Sequence, residues 1–249
     1  LGHWDTWEPD AITADRATGI FADPAKVHRL SHKGEWFQSR GPFTVPPSPQ
    51  GRPVIIQAGQ SGRGRAFAAR WAELVFVINP TLAYAQKSYA AMKEAVVEAG
   101  RDPESVKVAP AAFVVVGESQ AEAEEKAALI ESLHQPMDSL VLLSEVLNYD
   151  FAARDIDEPF TDEELAGIGG LRAIADRAIA MSGKTHLSTR DFVEHSGRGT
   201  IHEMAKFIGT AQSVADSMEE WFTGRGCDGF VVASTHVPGS HEDFVRLVV

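Results

Sequence analysis

The chain has 249 residues, 44% hydrophobic and 23% charged, an ordinary globular composition with length enough for one large α/β domain. A formal net charge of −12 argues against nucleic acid or an anionic membrane as the main partner. The one cysteine, Cys227, excludes an internal disulfide and fits a reducing, cytoplasmic setting, and no apolar run nears the roughly 20 residues that span a bilayer.

The first residues, Leu1-Gly2-His3-Trp4, show neither an initiator Met nor a signal-peptide pattern. Trp4 and Trp7 have the spacing of the last turn of an amphipathic helix, and the chain closes inside the amphipathic HEDFVRLVV. Both ends are therefore expected to be those of a piece of a longer protein. Residues 8–52 are turn-rich and are expected to form an irregular excursion with a short β-ribbon at HKGEWFQSRGPF. PVIIQA (53–58) has the continuous apolar character of a parallel strand covered on both faces. The helix after it keeps Phe67, Arg70, Trp71 and Leu74 near one side, and LVFVI (74–78) is the second strand.

Asn79 as N-cap and Pro80 at the first helical position open the next helix, with Leu82, Ala85, Tyr89, Met92 and Val96 at helical spacing and Gly100 as its stop. AAFVVVG (111–117) is the third strand. Ser119 and Glu122 form a capping box for a helix running to about His134. Residues 135–205 break the rhythm and are expected to form an insertion or lid. FTDEELAGIGGLRAIADRAIAMSG suggests one helix there, and KTHLSTRDFVEHSGRGT reads as polar and irregular. The order resumes with the helix TAQSVADSMEEWF, whose Val214, Met218, Trp221 and Phe222 make an apolar face. CDGFVVA (227–233) is the fourth strand, and Ser240 with Asp243 is expected to cap the final helix.

Strands alternating with helices give an α/β class with parallel strands, read as a single domain over residues 1–249. Periodicity leaves half of an eightfold barrel and part of a doubly wound sheet both open.

The chemistry centres on Gly59-Gln60-Ser61-Gly62-Arg63-Gly64, between the first strand and its helix. A nucleophile elbow reads G-x-S-x-G, but Arg63 stands where the second glycine belongs; Asp228 and His241 follow in the right order for a triad, yet Asp228 precedes its strand, away from Ser61. A phosphate site needs less: unpaired amides at a helix start, glycines that let an anion approach, the Ser61 hydroxyl, and charge from Arg63 and Arg65. The glycine spacing differs from the dinucleotide fingerprint, and a plain turn with a capping serine stays open too. His28 and His32 lie on a non-helical stretch with no third ligand nearby, so no metal site is assigned. Phe76 and Ile78 share one side of their strand and are placed to face a planar ligand or to pack in the core. Cys227, just before a strand, reads as buried rather than reactive.

FADPAKVHRLSHKGEWFQSRGPFTVPPSPQGRPVIIQAGQSGRGRAFAARWAELVF, followed in order by AGRDPESVKV, VVGESQAEAEE, GTAQSVADSMEEWF, CDGF and VPGSHEDFVRLVV, resembles the luciferase-like flavin-dependent monooxygenases of the nitrilotriacetate and dibenzothiophene-sulfone type. The resemblance covers nearly the whole chain and is weakest across about 138 to 204. It implies a (β/α)8 TIM barrel of which this chain covers about the C-terminal half. It also implies reduced FMN from a separate NAD(P)H:flavin reductase, O2 as co-substrate, and oxygenation of a small organic substrate with C–N or C–S cleavage. The family's QAGxS serine binds the FMN phosphate, which carries over to Ser61; the turn itself, not the resemblance, adds the backbone of Gly59 and Gly62 as neighbouring cofactor contacts, and Ala58 and Phe76 are read with them from their places beside it. Catalytic side chains are expected in the preceding half of the barrel, and none is assigned here. A homo-oligomer is expected, because unpaired strand edges invite association. Two rival readings are a deazaflavin (F420)-dependent oxidoreductase on the same barrel and a truncated, non-catalytic domain.

Overall fold

The computed structural model describes residues 1–59, 61–169 and 172–249, in two compact units, Leu1–Ile55 and Ile56–Val249. The first holds two antiparallel ribbons. β1 (Ile12–Asp15) pairs with β2 (Ile20–Ala22), and β3 (His32–Lys33) pairs with β4 (Gln38–Ser39) at the predicted ribbon. The helical turn expected at the start is a single 3-10 turn, Trp4–Thr6, after which Trp7 extends and bridges to Val27.

In the second unit β5 (Ile56–Ala58) begins three residues later than its apolar run. Its partner β6 (Leu74–Val77) starts directly after the turn from α1 (Gly62–Trp71), so Leu74 is the first residue available to pair, with Ile56. Small residues let α1 approach the sheet: Ala68, Ala69 and Ala72 are buried, while Phe67 and Trp71 stay exposed. α2 (Leu82–Glu98) is capped by the Thr81 hydroxyl, which accepts from the Tyr84 N–H, and not by Asn79, which is buried two residues earlier. Ala85, Tyr89, Met92 and Val96 are buried as their spacing predicts.

β7 (Lys107–Gly117) is the longest strand, four residues longer at its start than its apolar stretch suggests. Its first part pairs with β6, and its later part with β8 (Ala205–Thr210), a strand the sequence reading missed. β9 (Val231–Ala233) pairs along Ala111–Phe113. α3 (Gln120–Leu133) starts on Ser119 as predicted, but the Glu122 carboxylate accepts from the Glu118 N–H, one residue before the cap.

Residues 135–205 fold around a core of their own. α4 (Pro136–Leu147), α5 (Asp162–Gly167), α6 (Arg172–Ser182) and α7 (Thr189–Ser196) surround Leu143, Leu147, Phe151, Phe160, Leu187 and Phe192. Phe151, Phe160 and Phe192 meet one another with centroids 5.4–6.0 Å apart. The single helix expected over 160–183 is two, since α5 ends on an extended Ile168 between Gly167 and Gly169. The stretch read as irregular holds α7, opened by a reciprocal Ser188–Asp191 capping box.

α8 (Ala211–Thr223) buries Val214 and Trp221, with Met218 partly covered and Phe222 exposed. α9 (Gly239–Leu247) has no side-chain cap. The Ser240 hydroxyl donates to the His236 carbonyl, and Asp243 pairs with Lys126 and Arg246 instead.

Strand order decides between barrel and doubly wound sheet. β5, β6 and β7 are parallel neighbours in chain order, and β7 carries β8 along its later part and β9 along Ala111–Phe113, both parallel. Val75, Val77 and Val108 pack on α1 and α2, while Ala112, Val114 and Val116 share a core with Val214 and Trp221 of α8. These belong to one sheet face. A doubly wound sheet reverses its order and carries helices on both faces, whereas a barrel winds one way with helices outside only. The opposite face carries Ile56, Ala58, Leu74, Phe76 and Val231, with Ile56 59% exposed. No helix among the described residues is long and apolar enough to cross a membrane.

A buried polar cluster ties the N-terminal ends of β7 and β9 to α2. The Asp228 carboxylate accepts from the Val108 N–H (2.8 Å) and the Tyr89 hydroxyl (3.0 Å), and lies 3.2 Å from Lys93 Nζ. Lys93 also donates to the carbonyls of Pro103 and Val106. Burial, with the bond to Asp228, pushes the Tyr89 phenol up to about 12. Cys227 next to it is buried, which pushes its thiol up to about 11.

Asp228→Asn removes the charge facing a buried ammonium and is expected to cost about 3–5 kcal/mol in urea unfolding. Because the Tyr89 pKa is raised on folding, its contribution is complete below pH ~10 and is lost as pH rises toward 12. Tyr89→Phe should therefore flatten the alkaline limb of the stability curve, measured as the urea midpoint between pH 9 and 12.

Candidate functional site

The turn between β5 and α1 lies at the C-terminal edge of the sheet, where barrel sites form. Gly59 has φ +146°, which favours glycine, and the chain then reaches Ser61 in extended geometry at the N-cap of α1. Ser61 Oγ accepts from the Gly64 N–H at 3.2 Å, so its own hydrogen remains available for a further acceptor. The Ser61 carbonyl takes the Arg65 N–H at 2.8 Å. Helix geometry leaves the amides of Gly62 and Arg63 without intrahelical acceptors, at the positive end of the helix dipole.

A Cβ on Gly62 would face open space, whereas one on Gly64 would lie 3.2 Å from Ser61 Oγ and 3.4 Å from the Gly59 carbonyl oxygen. Gly64 thus lets the first helical turn close onto the loop. Gln60 of this motif lies outside the described residues.

Ala58 pairs directly with Phe76, so the two side chains are neighbours on the face away from the helices, just before Gly59. Ala58, Gly59, Ser61, Gly62 and Phe76 accordingly cluster at the ends of β5 and β6. Phe76 alternates with buried Val75 and Val77 and is itself half-buried, as is Ile78. A cavity of about 230 Å³ beside Arg65, Tyr84, Lys87 and Met92 lies behind the sheet, on its helix-covered side with Val77 and Val108.

The residues weighed for a nucleophile do not converge. Asp228 is engaged at the opposite end of the strands by Lys93 and Tyr89, and His241 Nε2 lies 3.3 Å from the Val232 carbonyl. His28 pairs with Glu8 at 2.7 Å. Asp191, Glu194 and His195 bring ligand atoms within 4.8 Å of one another, but Asp191 is occupied by the Ser188 cap and by Lys184 at 2.6 Å. Burial opposes ionisation of Asp191, and the Lys184 and Ser188 bonds outweigh it, holding its carboxyl below the usual range. The sequence reading missed the Lys93–Asp228–Tyr89 cluster. Its signal was a lysine four residues after Tyr89, on the buried side of α2.

The luciferase-like monooxygenase family profile matches residues 26–229. The chain belongs to this family. It is 40% identical to dibenzothiophene-sulfone monooxygenase of Rhodococcus erythropolis, over 99% of this chain and 54% of that protein. It is 35% identical to nitrilotriacetate monooxygenase component A of Aminobacter aminovorans, again over 99% and 54%. Among solved structures, riboflavin lyase with modified FMN and substrate riboflavin superposes with a TM-score of 0.81 at 29% identity, over 99% of this chain and 53% of that one. The chain thus spans about half the length of the relatives it matches, and across that span it has the luciferase-like barrel fold that the motifs imply.

Because Ser61 is an N-cap, Ser61→Ala is expected to lower stability by about 0.5–2 kcal/mol, and Ser61→Asp to retain it. Thermal unfolding of the three proteins measures this.

Proposed function

We propose that the protein carrying this chain is a flavin-dependent monooxygenase, fed with reduced FMN by a separate NAD(P)H:flavin reductase, that oxygenates a small organic molecule with cleavage of a C–N or C–S bond. The observation that carries this reading is the start of α1. It offers a free hydroxyl hydrogen, two unpaired amides and an open approach at Gly62, beside an apolar strip, at the sheet's C-terminal edge.

This donor set suits a phosphate dianion. Ser61 and the amides of Gly62 and Arg63 would hold the FMN phosphate, Arg63 would add charge, and Ala58 and Phe76 would offer apolar surface to the ring system. When bound, the reduced flavin supplies the activation of O2. The chain's own residues bind and orient it. Nothing in the donor set accepts or passes a proton, so the loop is a positioning device.

Ser61→Ala removes one charge-assisted hydrogen bond, worth about 1.5–3 kcal/mol, and FMN affinity should fall roughly ten- to a hundredfold. Riboflavin lacks the phosphate and its affinity should hold. Ser61→Asp keeps the cap but sets a carboxylate against the phosphate, so it should lose FMN at least as strongly while remaining as stable as wild type. Equal weakening of FMN and riboflavin by Ser61→Ala would overturn the phosphate assignment.

Electron supply gives a second test. No dinucleotide fingerprint is present in this chain, so NADH consumption and oxygenation should require an added reductase or chemically reduced FMN. Sustained NADH-driven turnover by the purified protein alone would contradict the two-component reading.

A further inference from the structure

We propose that a second cavity, of about 590 Å³, between β7, the end of α3, the 199–203 turn and the residues after β9, is the organic-substrate pocket, and that it selects uncharged molecules over polycarboxylates. The inference rests on the monooxygenase reading above and adds the substrate class.

Position comes first. Phe113 pairs with Ala233, and by alternation along β7 from Ala109, which pairs with Phe76, it lies on the sheet face that carries Phe76. Ser234 and Thr235 follow the last residue of β9 and so stand at the C-terminal edge. The cavity therefore shares both face and edge with the Ser61 loop. Its volume falls within the usual range for small-molecule pockets.

The lining then defines the ligand. Phe113, Ile130 and Leu133 supply apolar wall. The charged lining residues are carboxylates, Glu131, Asp138 and Glu203, and no lysine or arginine lines the cavity among the described residues. The nearby cations are committed elsewhere. Arg198 pairs with Glu203, and Lys206 Nζ donates to His202 Nδ1 at 2.8 Å. That bond occupies Nδ1, and Nε2 lies 3.1 Å from Glu131, so both ring nitrogens are engaged within the protein.

His134 is fixed in the same way. Ser139 Oγ donates to the Arg198 carbonyl at 2.6 Å and so accepts from His134 Nε2 at 2.7 Å. What remains for a ligand is apolar surface and the Ser234 hydroxyl, with Thr235 Oγ1 beside it 3.3 Å from His236 Nδ1, which suits a neutral molecule with an oxygen acceptor. A polycarboxylate would meet the carboxylates of Glu131 and Asp138, with Glu203 already paired to Arg198 and no lysine or arginine among the described lining residues to receive it, and like-charge juxtaposition is how sites reject such ligands.

The test is calorimetric binding of dibenzothiophene sulfone and of nitrilotriacetate, in metal-free buffer at neutral pH, to the protein carrying this chain. The sulfone should bind at least tenfold more tightly. Leu133→Arg, at an exposed position on the rim, should raise nitrilotriacetate affinity at least tenfold, and Ile130→Trp should lower sulfone affinity by a similar factor, with FMN affinity unchanged in both. Nitrilotriacetate binding as tightly as the sulfone, or both variants leaving both affinities unmoved, would overturn the proposal. Failure of the wild type to bind FMN would overturn the flavin reading instead, and the two ligand affinities would still decide the pocket.

Discussion

The Asp228 carboxylate is the joint on which the sheet's last strand depends. A three-residue strand such as β9 has few ladder bonds with which to set its own register, and a slip of one residue would turn Val231 and Ala233 to the wrong face. Asp228 removes that freedom by accepting the Val108 N–H, which anchors the approach to β9 against the start of β7. Tyr89 and Lys93 complete the carboxylate's shell from α2, so strand, neighbouring strand and outer helix are fixed at one point. Register at the C-terminal edge, where Ser234 and Thr235 emerge, follows from this contact at the other end.

The winding of the sheet shapes everything above that joint. The cores that join the sheet to α1, α2 and α8 lie on one face, and the other face is apolar too, with Ile56, Phe76 and Val231 along it. Such a face is the inside of a barrel, and it explains why these strands read as continuously apolar while only alternate residues are buried against helices. Residues 135–205 add a different solution, a helical core built on three phenylalanines in mutual contact, two of the three pairs edge-on and the third tilted.

Where chemistry is local, the sequence was readable. The Gly59–Gly64 loop, the Ser119 cap and the buried stripe of α2 are set by residues within one or two turns of each other, and each lies where its pattern indicated. Errors came where two local signals competed. Asn79 and Thr81 are both good caps, and the chain uses the one that lets Asn79 be buried. Ser240 and Asp243 have capping spacing, but Lys126, distant in sequence, claims Asp243. β8 was missed because its few apolar residues become a strand only beside Val114 and Val116, about ninety residues earlier. The larger cavity was invisible for the same reason, since its walls come from four separated stretches of chain.

Cys227 has a consequence for anyone who works with this molecule. Its sulfur is buried at the N-terminal approach to β9, and its thiol is held far from the thiolate that alkylating and oxidising reagents attack. The native chain therefore behaves, under folded conditions, as a thiol-free background. A cysteine placed at the rim of either cavity would carry a fluorophore or spin label alone, and the signal would come from that site without first removing the natural residue.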